Sequence, residues 1–476
     1  MYMSNKGVTT TVAAAAVIIA LILGVAVGRY AIPTPAPTDM VPLSQHNDLQ
    51  DDYDNLEVEL NNIEAELEGV RGELDNAQDD LLEAQSEIES LKAAGLTGEI
   101  KLGFLASMTG VLATFGENEA TAAEFAAEQV NEMLSSMGAE WTLKIEIEDT
   151  QTNPTIALEK TESFAARGIK LLIGPLSSGE VRGIKGYCDA NKILAISQSS
   201  TAPDLAIADD YIFRFCPTDK LGQGPAMARI MNTDGKQYII PVARNDAWGV
   251  GLEEAAKKRF EELGGTFLEG IRYSPDATEF SMEVSNLAGK VSSAVDTYGA
   301  ENVGVWHISF EEVTAFFSAA SAYDVLSTVK WYGSDGTANS DAMLEDETVA
   351  AFAAKVNYPC TIFAPTHSPK WEEVRQNNLD KLGREPDSYS YAVYDVVWAY
   401  AYSLLTVDTY DADAIKEVLP TVTRSLFGAS GWIDLDEAGD RKAGDYDIWQ
   451  IGEPVVPGVF QWEHIGVWVF TADSVS

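Results

Sequence analysis

Basic residues are scarce in this chain: 32 Lys and Arg stand against 74 Asp and Glu, for a formal net charge of -42 at pH 7. Such a surface repels a phosphate backbone, which excludes nucleic acid as a partner. Cysteine is scarcer still. Cys188, Cys216 and Cys360 can form one bridge at most, so no disulfide framework holds the fold. The four histidines, His46, His307, His367 and His464, are scattered without metal-ligand spacing, and neither a GxSxG elbow nor a GxxxxGK[ST] phosphate loop occurs. These absences argue against an enzyme and give no reason to expect a metal or cofactor. What is abundant is core-forming material. Hydrophobic residues make up 46% of the 476 positions, so the acidity belongs to a folded surface and not to a disordered polymer. The length leaves room for two or three compact units.

One long uncharged run is present. Residues 8–27 read VTTTVAAAAVIIALILGVAV, about 20 residues and enough to cross a bilayer core at about 1.5 Å each. Residues 8–29 are therefore expected to be a transmembrane helix or a retained signal. Lys6 precedes the run and acidic sequence follows, which puts residues 1–7 in the cytoplasm and the rest outside the cell membrane. An ordinary secretion signal cut near Ala31 is one alternative. Another is a retained signal, because Lys6-Gly7-Val8-Thr9-Thr10 resembles the prepilin-like signals of archaeal surface proteins. Residues 30–47 form a spacer whose Pro33, Pro35, Pro37 and Pro42 favour extended polyproline II over helix.

From residue 48 to residue 94 the pattern becomes a heptad. Apolar residues recur alternately four and three apart from Leu49 to Leu91, which predicts a coiled-coil stalk roughly 65 Å long. With Tyr53 at an a position, every g position is acidic (Asp52, Glu59, Glu66, Glu73, Asp80, Glu87). The e positions are mixed. In a parallel pair Glu66 meets Arg71 and Glu87 meets Lys92, while Asp52 and Glu59 face Glu57 and Glu64. Self-association is expected, weakened by those clashes, with a solvated single helix as the alternative.

Beyond residue 98 short β-rich runs alternate with helical periodicity: EIKLGFLAS, WTLKIEIED, KLLIGP and ILAISQSS with helices between them, then, after DYIFRFCPTD, QYIIPVARN, NVGVWHIS and VKWYGSDG in a second such series. That alternation predicts two doubly wound α/β units with parallel sheets and a cleft between them. Ligands in such sheets bind at the carboxyl ends of strands. Three loops there carry suitable chemistry. Leu176-Ser177-Ser178-Gly179 opens a helix and offers hydroxyls and amides to a small anion such as a carboxylate, although N-capping alone would also account for it. Ser197 to Pro203 adds more hydroxyls on the same edge. In the second unit Asp335 lies in a Gly-Ser-Asp-Gly turn, where an acid could hold an ammonium group and where an ordinary Asp-Gly turn is the plain alternative.

Several linked motifs in order then resemble one family. IKLGFLASMTGVLATFG, IGPLSSGE, ISQSSTAPDL, Asp219 with Gly222-Gln223-Gly224-Pro225, and GASGWIDLDEAGDR near the C-terminus look like the branched-chain amino-acid (Leu/Ile/Val) binding proteins of ABC importers, over about four fifths of the chain. The resemblance implies the two-lobed type I periplasmic-binding fold, with three crossovers and hinge closure on the ligand. It implies lobe 1 at residues 99–218 and 365–428, and lobe 2 at 219–364 and 429–476. It also implies that Ser178, Ser199 and Thr201 bind a ligand α-carboxylate and Asp335 its ammonium. Phe115, Trp248 and Phe310 would supply aromatic contacts, with Tyr389 or Tyr391. An ABC permease would be the partner. Three departures bear on the ligand: Phe115 and Phe310 stand where the family often has hydroxylated rings, Asp335 where it often has glutamate, and Ser177 where its best-known members have a disulfide cysteine. A neutral amide or urea-like solute, or a scaffold role without ligand, are the rival readings on the same fold.

Overall fold

The structure, a computed structural model, describes residues 43–93, 95–454 and 456–476. The expected cytoplasmic end and the membrane or signal segment at 8–29 lie outside the described residues. Among those described, no helix is long and apolar enough to cross a membrane. The stalk sequence forms one continuous helix, α1 (Leu43–Ala93), a unit distinct from the one that begins at Lys92. It starts five residues inside the stretch expected to be spacer. Pro42 is the last proline of the spacer, and a helix can begin as soon as the missing donors are behind it.

Lobe 1 begins with β1 (Gly98–Ala106), α2 (Ala113–Met137), β2 (Trp141–Asp149), α3 (Pro154–Ala166), β3 (Leu171–Ile173), α4 (Ser178–Asn191), β4 (Leu194–Ser197) and β5 (Ile212–Pro217). Strands β3, β4 and β5 are buried along their whole length, as continuous apolar runs covered on both faces by helices should be. Helix α2 turns a row of Ala122, Ala123, Ala126, Val130 and Leu134 inward and ends on Gly138 at φ 73, the left-handed cap that glycine adopts without strain.

Lobe 2 follows with α5 (Gln223–Thr233), β6 (Tyr238–Arg244), α6 (Ala247–Glu262), β7 (Thr266–Phe267), β8 (Ile271–Tyr273), α7 (Ser281–Tyr298), β9 (Val303–Ile308), α8 (Val313–Ala320), β10 (Lys330–Tyr332), α9 (Asp341–Glu345), α10 (Glu347–Lys355) and β11 (Cys360–Phe363). The chain then returns to lobe 1 for α11 (Pro369–Leu382), α12 (Ser388–Val407), α13 (Ala412–Arg424), the β12 (Phe427–Gly428) and β13 (Gly431–Trp432) hairpin, and β14 (Asp440–Arg441). It finishes in β15 (Tyr446–Ile451), β16 (Trp462–Val469) and β17 (Ser474–Val475).

The first sheet has the order β14-β5-β4-β3-β1-β2, parallel throughout. The second, β10-β9-β6-β7 with β8 also on β6, is parallel as well. Both place the first strand of the lobe inside the sheet, so the winding reverses between β1 and β3 in one lobe and between β6 and β9 in the other. Those reversals open the crevices that ligands use. A third sheet, β11-β15-β16-β17, is antiparallel and was not expected from the sequence.

The third crossover is later than expected. Residues 429–441, assigned to lobe 2 from the sequence, belong to lobe 1: β14 pairs with β5, and Ala429, Ile433 and Leu435 join the lobe 1 core. A buried ion pair between Arg214 on β5 and Asp440 on β14 holds the segment there. All three cysteines are buried and free, so the one bridge that the count allowed does not form.

Candidate functional site

Seven loops and helix starts meet where the two crevices face each other. From lobe 1 come Leu112 and Phe115 after β1, Leu176, Ser177 and Ser178 after β3, Ser199 after β4, and Tyr389 from the first turn of α12; from lobe 2 come Trp248 after β6, Phe310 after β9, and Asp335 with Gly336 after β10. The free volume between them is about 20 Å3, the space of roughly one water. The cleft is shut. Tyr389 Oη in lobe 1 donates to Asp335 Oδ2 in lobe 2 at 2.6 Å. Thr114 Oγ1 donates to Glu311 Oε1 at 2.6 Å, and the Glu311 amide donates to Val111 O at 3.2 Å.

Seven of the eight residues expected at the site line it: Phe115, Ser178, Ser199, Trp248, Phe310, Asp335 and Tyr389. Thr201 does not. Its hydroxyl donates to Asp219 Oδ2 at 3.0 Å, while its amide donates to Ser178 Oγ at 3.2 Å. A hydroxyl already given to a buried carboxyl is not offered to a ligand, so Thr201 shapes the loop behind the site. Tyr391 is likewise elsewhere, stacked on Trp371 at 5.5 Å. Two residues apart on a helix, Tyr389 and Tyr391 cannot share a face.

The lobe 1 end is built by helix-start chemistry. Ser177 caps α4 in a reciprocal box with Glu180: its amide and its hydroxyl both donate to Glu180 Oε2, at 3.1 and 2.6 Å. Ser178 Oγ accepts from the Ala202 amide at 3.1 Å and from Ser200 Oγ at 3.0 Å, and Ser199 Oγ donates to Leu176 O at 2.8 Å. The loops after β3 and β4 are thus tied to each other before any ligand arrives. Since Ser177 and Ser199 already give their hydroxyl protons to Glu180 and Leu176, it is the Ser178 hydroxyl and the positive end of α4 that suit a carboxylate.

The lobe 2 end is acidic and dry. Burial pushes the Asp335 carboxyl up to about 6, against hydrogen bonds from Tyr389, Gln223 and Gly336 that favour its charged form. Asp219, fully buried beside it, is raised well above the usual carboxylate range by burial and by the Asp335 charge. An ammonium group in the cleft would relieve both. Between the two ends lie aromatic rings: Trp248 and Phe310 stack with centroids 4.5 Å apart, and Phe115 and Tyr389 meet at 6.4 Å. Gly336 makes room for the wall, since a Cβ there would come within 2.4 Å of Phe310.

Sequence reasoning named Leu176, Ser177 and Gly336 only as members of the loops that carry Ser178 and Asp335, and it missed Leu112. Position was the available signal, because each lies within about one helical turn of a residue already chosen. Three histidines lie elsewhere: His307 is buried among rings, with burial holding its imidazole neutral and its pKa down at about 3, His367 stacks on Trp371, and His464 meets Asp447. Among the described residues no group of three or more His, Cys, Asp or Glu is placed to hold a metal ion.

Residues 118–453 match the family described as the receptor family ligand binding region. The chain belongs to that family. An uncharacterized protein of Methanocaldococcus jannaschii is 33% identical over 395 residues, 79% of this chain and 91% of that protein. The Leu/Ile/Val-binding protein BraC3 of Rhizobium johnstonii is 23% identical over 372 residues, 77% and 96% of the two chains. Among solved structures, a leucine binding protein LivK of Thermotoga maritima superposes with a TM-score of 0.63 at 19% identity, over 78% of this chain and 98% of its own. The substrate binding protein LivJ of Streptococcus pneumoniae, solved with isoleucine, gives 0.62 at 17% over 77% and 99%. The fold of this receptor family member is therefore the two-lobed type I periplasmic-binding architecture, and its relatives include proteins named as Leu/Ile/Val-binding.

Proposed function

We propose that the protein captures a small amino acid between its lobes and delivers it to the permease of an ABC importer, from a position outside the cell where residues 8–29 tether it to the membrane. The observation that carries this reading is the placement of complementary groups across one cleft. The Ser178 hydroxyl and a helix N-terminus face it from lobe 1, a buried carboxyl from lobe 2, and rings fill the middle. A zwitterion closed between the lobes loses water from both ionic ends, and each end then needs a fixed partner. Relatives named for binding leucine, isoleucine and valine support the same class. The stalk would hold the receptor away from the bilayer.

Thermal-shift and native mass-spectrometric screening of the protein against amino acids, amides, urea and short peptides tests the proposal. A stabilising amino acid is the expected result. Response only to a neutral amide or urea would move the assignment to such solutes, and response to none would favour a scaffold.

A further inference from the structure

Behind the aromatic wall, outside the residues that line the cleft, lies a buried ionic network. Arg244 ends β6 and is 4% exposed. Its guanidinium lies 4.3 Å from the centre of the Phe310 ring. Its Nε donates to Asp246 Oδ2 at 2.9 Å, and its Nη1 donates to Glu312 Oε1. Tyr273 Oη donates to the same Glu312 oxygen at 3.0 Å. Each carboxylate belongs to a loop that bears a site ring. Asp246 caps α6, accepting from the Gly249 amide at 2.8 Å, and Trp248 stands in that first turn. Glu312 follows Phe310 by two residues and precedes α8. The two loops flank the reversal between β6 and β9, and their rings stack at 15°.

We propose that Arg244 is a positioning residue of the ligand cleft, strapping the loop of Trp248 to the loop of Phe310 so that the two rings form one preset wall. This rests on the reading of the cleft as a ligand site. The physical case is that a buried ionic network contributes little net stability compared with apolar packing of the same volume. What this network supplies is direction: a planar fork with donors on two edges joins two carboxylates while its face lies on a ring. Lysine, a compact charge with no plane, cannot do all three. Preset walls raise affinity because the ordering is complete before the ligand enters.

The test compares the full-length parent with Arg244→Lys and Arg244→Gln, each alone and with Phe310→Ala. The first readout needs no ligand. The near-ultraviolet circular dichroism difference between the parent and Trp248→Phe isolates the signal of Trp248 in its stack. Arg244→Lys should lose at least half of that signal while the far-ultraviolet spectrum stays unchanged, and an intact signal would overturn the proposal. The second readout is L-leucine affinity. Arg244→Lys should weaken it at least tenfold in the parent but less than twofold once Phe310 is gone, because an effect exerted through a ring disappears with the ring. Equal losses in both backgrounds would mean that Arg244 acts on general stability, and the proposal would fall. If the parent takes no leucine, the transport reading is weakened while the Trp248 signal still decides the role of Arg244. Should both Arg244 variants fail to fold, Glu312→Gln, which cuts the strap on one side and keeps the arginine, carries the same two readouts.

Discussion

At Asp335 the conflict between burial and charge sets what the cleft can hold. With its pKa raised to about 6, the carboxyl exchanges its proton in a range where the outer groups of a free amino acid do not. An ammonium ligand pairs with the ionised form only, so affinity should rise with pH up to about 6 and level off above it. Below 6 it should fall by up to about tenfold per unit. In the ligand-free fold the sign is reversed: a carboxyl lifted from 3.8 to about 6 favours folding while protonated, and that contribution fades as pH rises from about 4 through 6. Asp335→Asn should abolish its share of both trends and weaken amino-acid binding by about 2 to 5 kcal/mol; calorimetry from pH 5 to 8 measures this, and parent-like affinity would remove the ammonium from that spot. Ser178 differs, because its oxygen already serves two backbone amides and the Ser200 hydroxyl. Ser178→Ala should therefore lower stability itself by about 1 to 3 kcal/mol, seen as an earlier denaturant midpoint even without ligand. The difference between these two residues also explains what sequence made legible. Residue type at strand ends singled out Ser178, Ser199 and Asp335, and the family resemblance added Phe115, Trp248, Phe310 and Tyr389, but Thr201, in the same loop as Ser199, stays behind the site because Asp219, from a segment 18 residues on, claims its hydroxyl. No local pattern contains that partner.

Among the elements, the parallel strands announced themselves through short apolar runs between helical periods, and β2 fills the span WTLKIEIED from end to end. The helix starting at Pro154 was equally legible, since the Asn153 cap and a proline in the first turn mark its start. The two-residue strand β14 was not. Its sequence reads as a polar turn, and it becomes a strand only through non-local partners: the β5 backbone and Arg214, whose Nε and Nη2 bond both Asp440 oxygens at 2.5 Å. Arg214 also donates to Ala202 O at 2.7 Å, so the same guanidinium connects the last strand of the sheet to the loop behind Ser199. Asp440→Ala leaves that cation buried without its partner and should cost about 3 to 5 kcal/mol, measured by urea unfolding. A loss under 1 kcal/mol would mean that water replaces the carboxylate and that β14 is held by its backbone alone. The antiparallel sheet β11-β15-β16-β17 was hidden for a related reason, because the whole second segment of lobe 1, α11 to β14, lies between β11 and β15.

For the whole molecule the governing quantity is charge, and α1 is where it meets exposed apolar surface. Along the helix Tyr53, Leu56, Leu60, Ile63, Leu67, Val70, Leu74 and Leu81 are between 39% and 61% exposed, in the heptad register that a second helix would cover. Covering it is favourable at about 25 cal/mol per Å2 of apolar surface removed from water. Opposing it are the acidic g positions, of which Asp52 and Glu59 face further acids in a parallel pair and only Glu66 and Glu87 meet a base. The apolar term changes little with moderate salt, whereas repulsion between exposed charges is screened over about 10 Å at 0.1 M and about 3 Å at 1 M. Pairing through α1 should therefore strengthen as sodium chloride rises from about 0.1 to 1 M, seen by sedimentation of a chain beginning near residue 43 as a shift from monomer toward dimer. A chain beginning at residue 95 keeps both lobe cores and lacks the seam, so it should stay monomeric across the same range. Leu60→Asp with Leu67→Asp should hold the longer chain monomeric at 1 M while leaving its ligand response intact, because neither residue belongs to the cleft. A longer chain that stays monomeric at every salt concentration would make α1 a solitary spacer, and salt-driven dimers of the shorter chain would move the contact to the lobes.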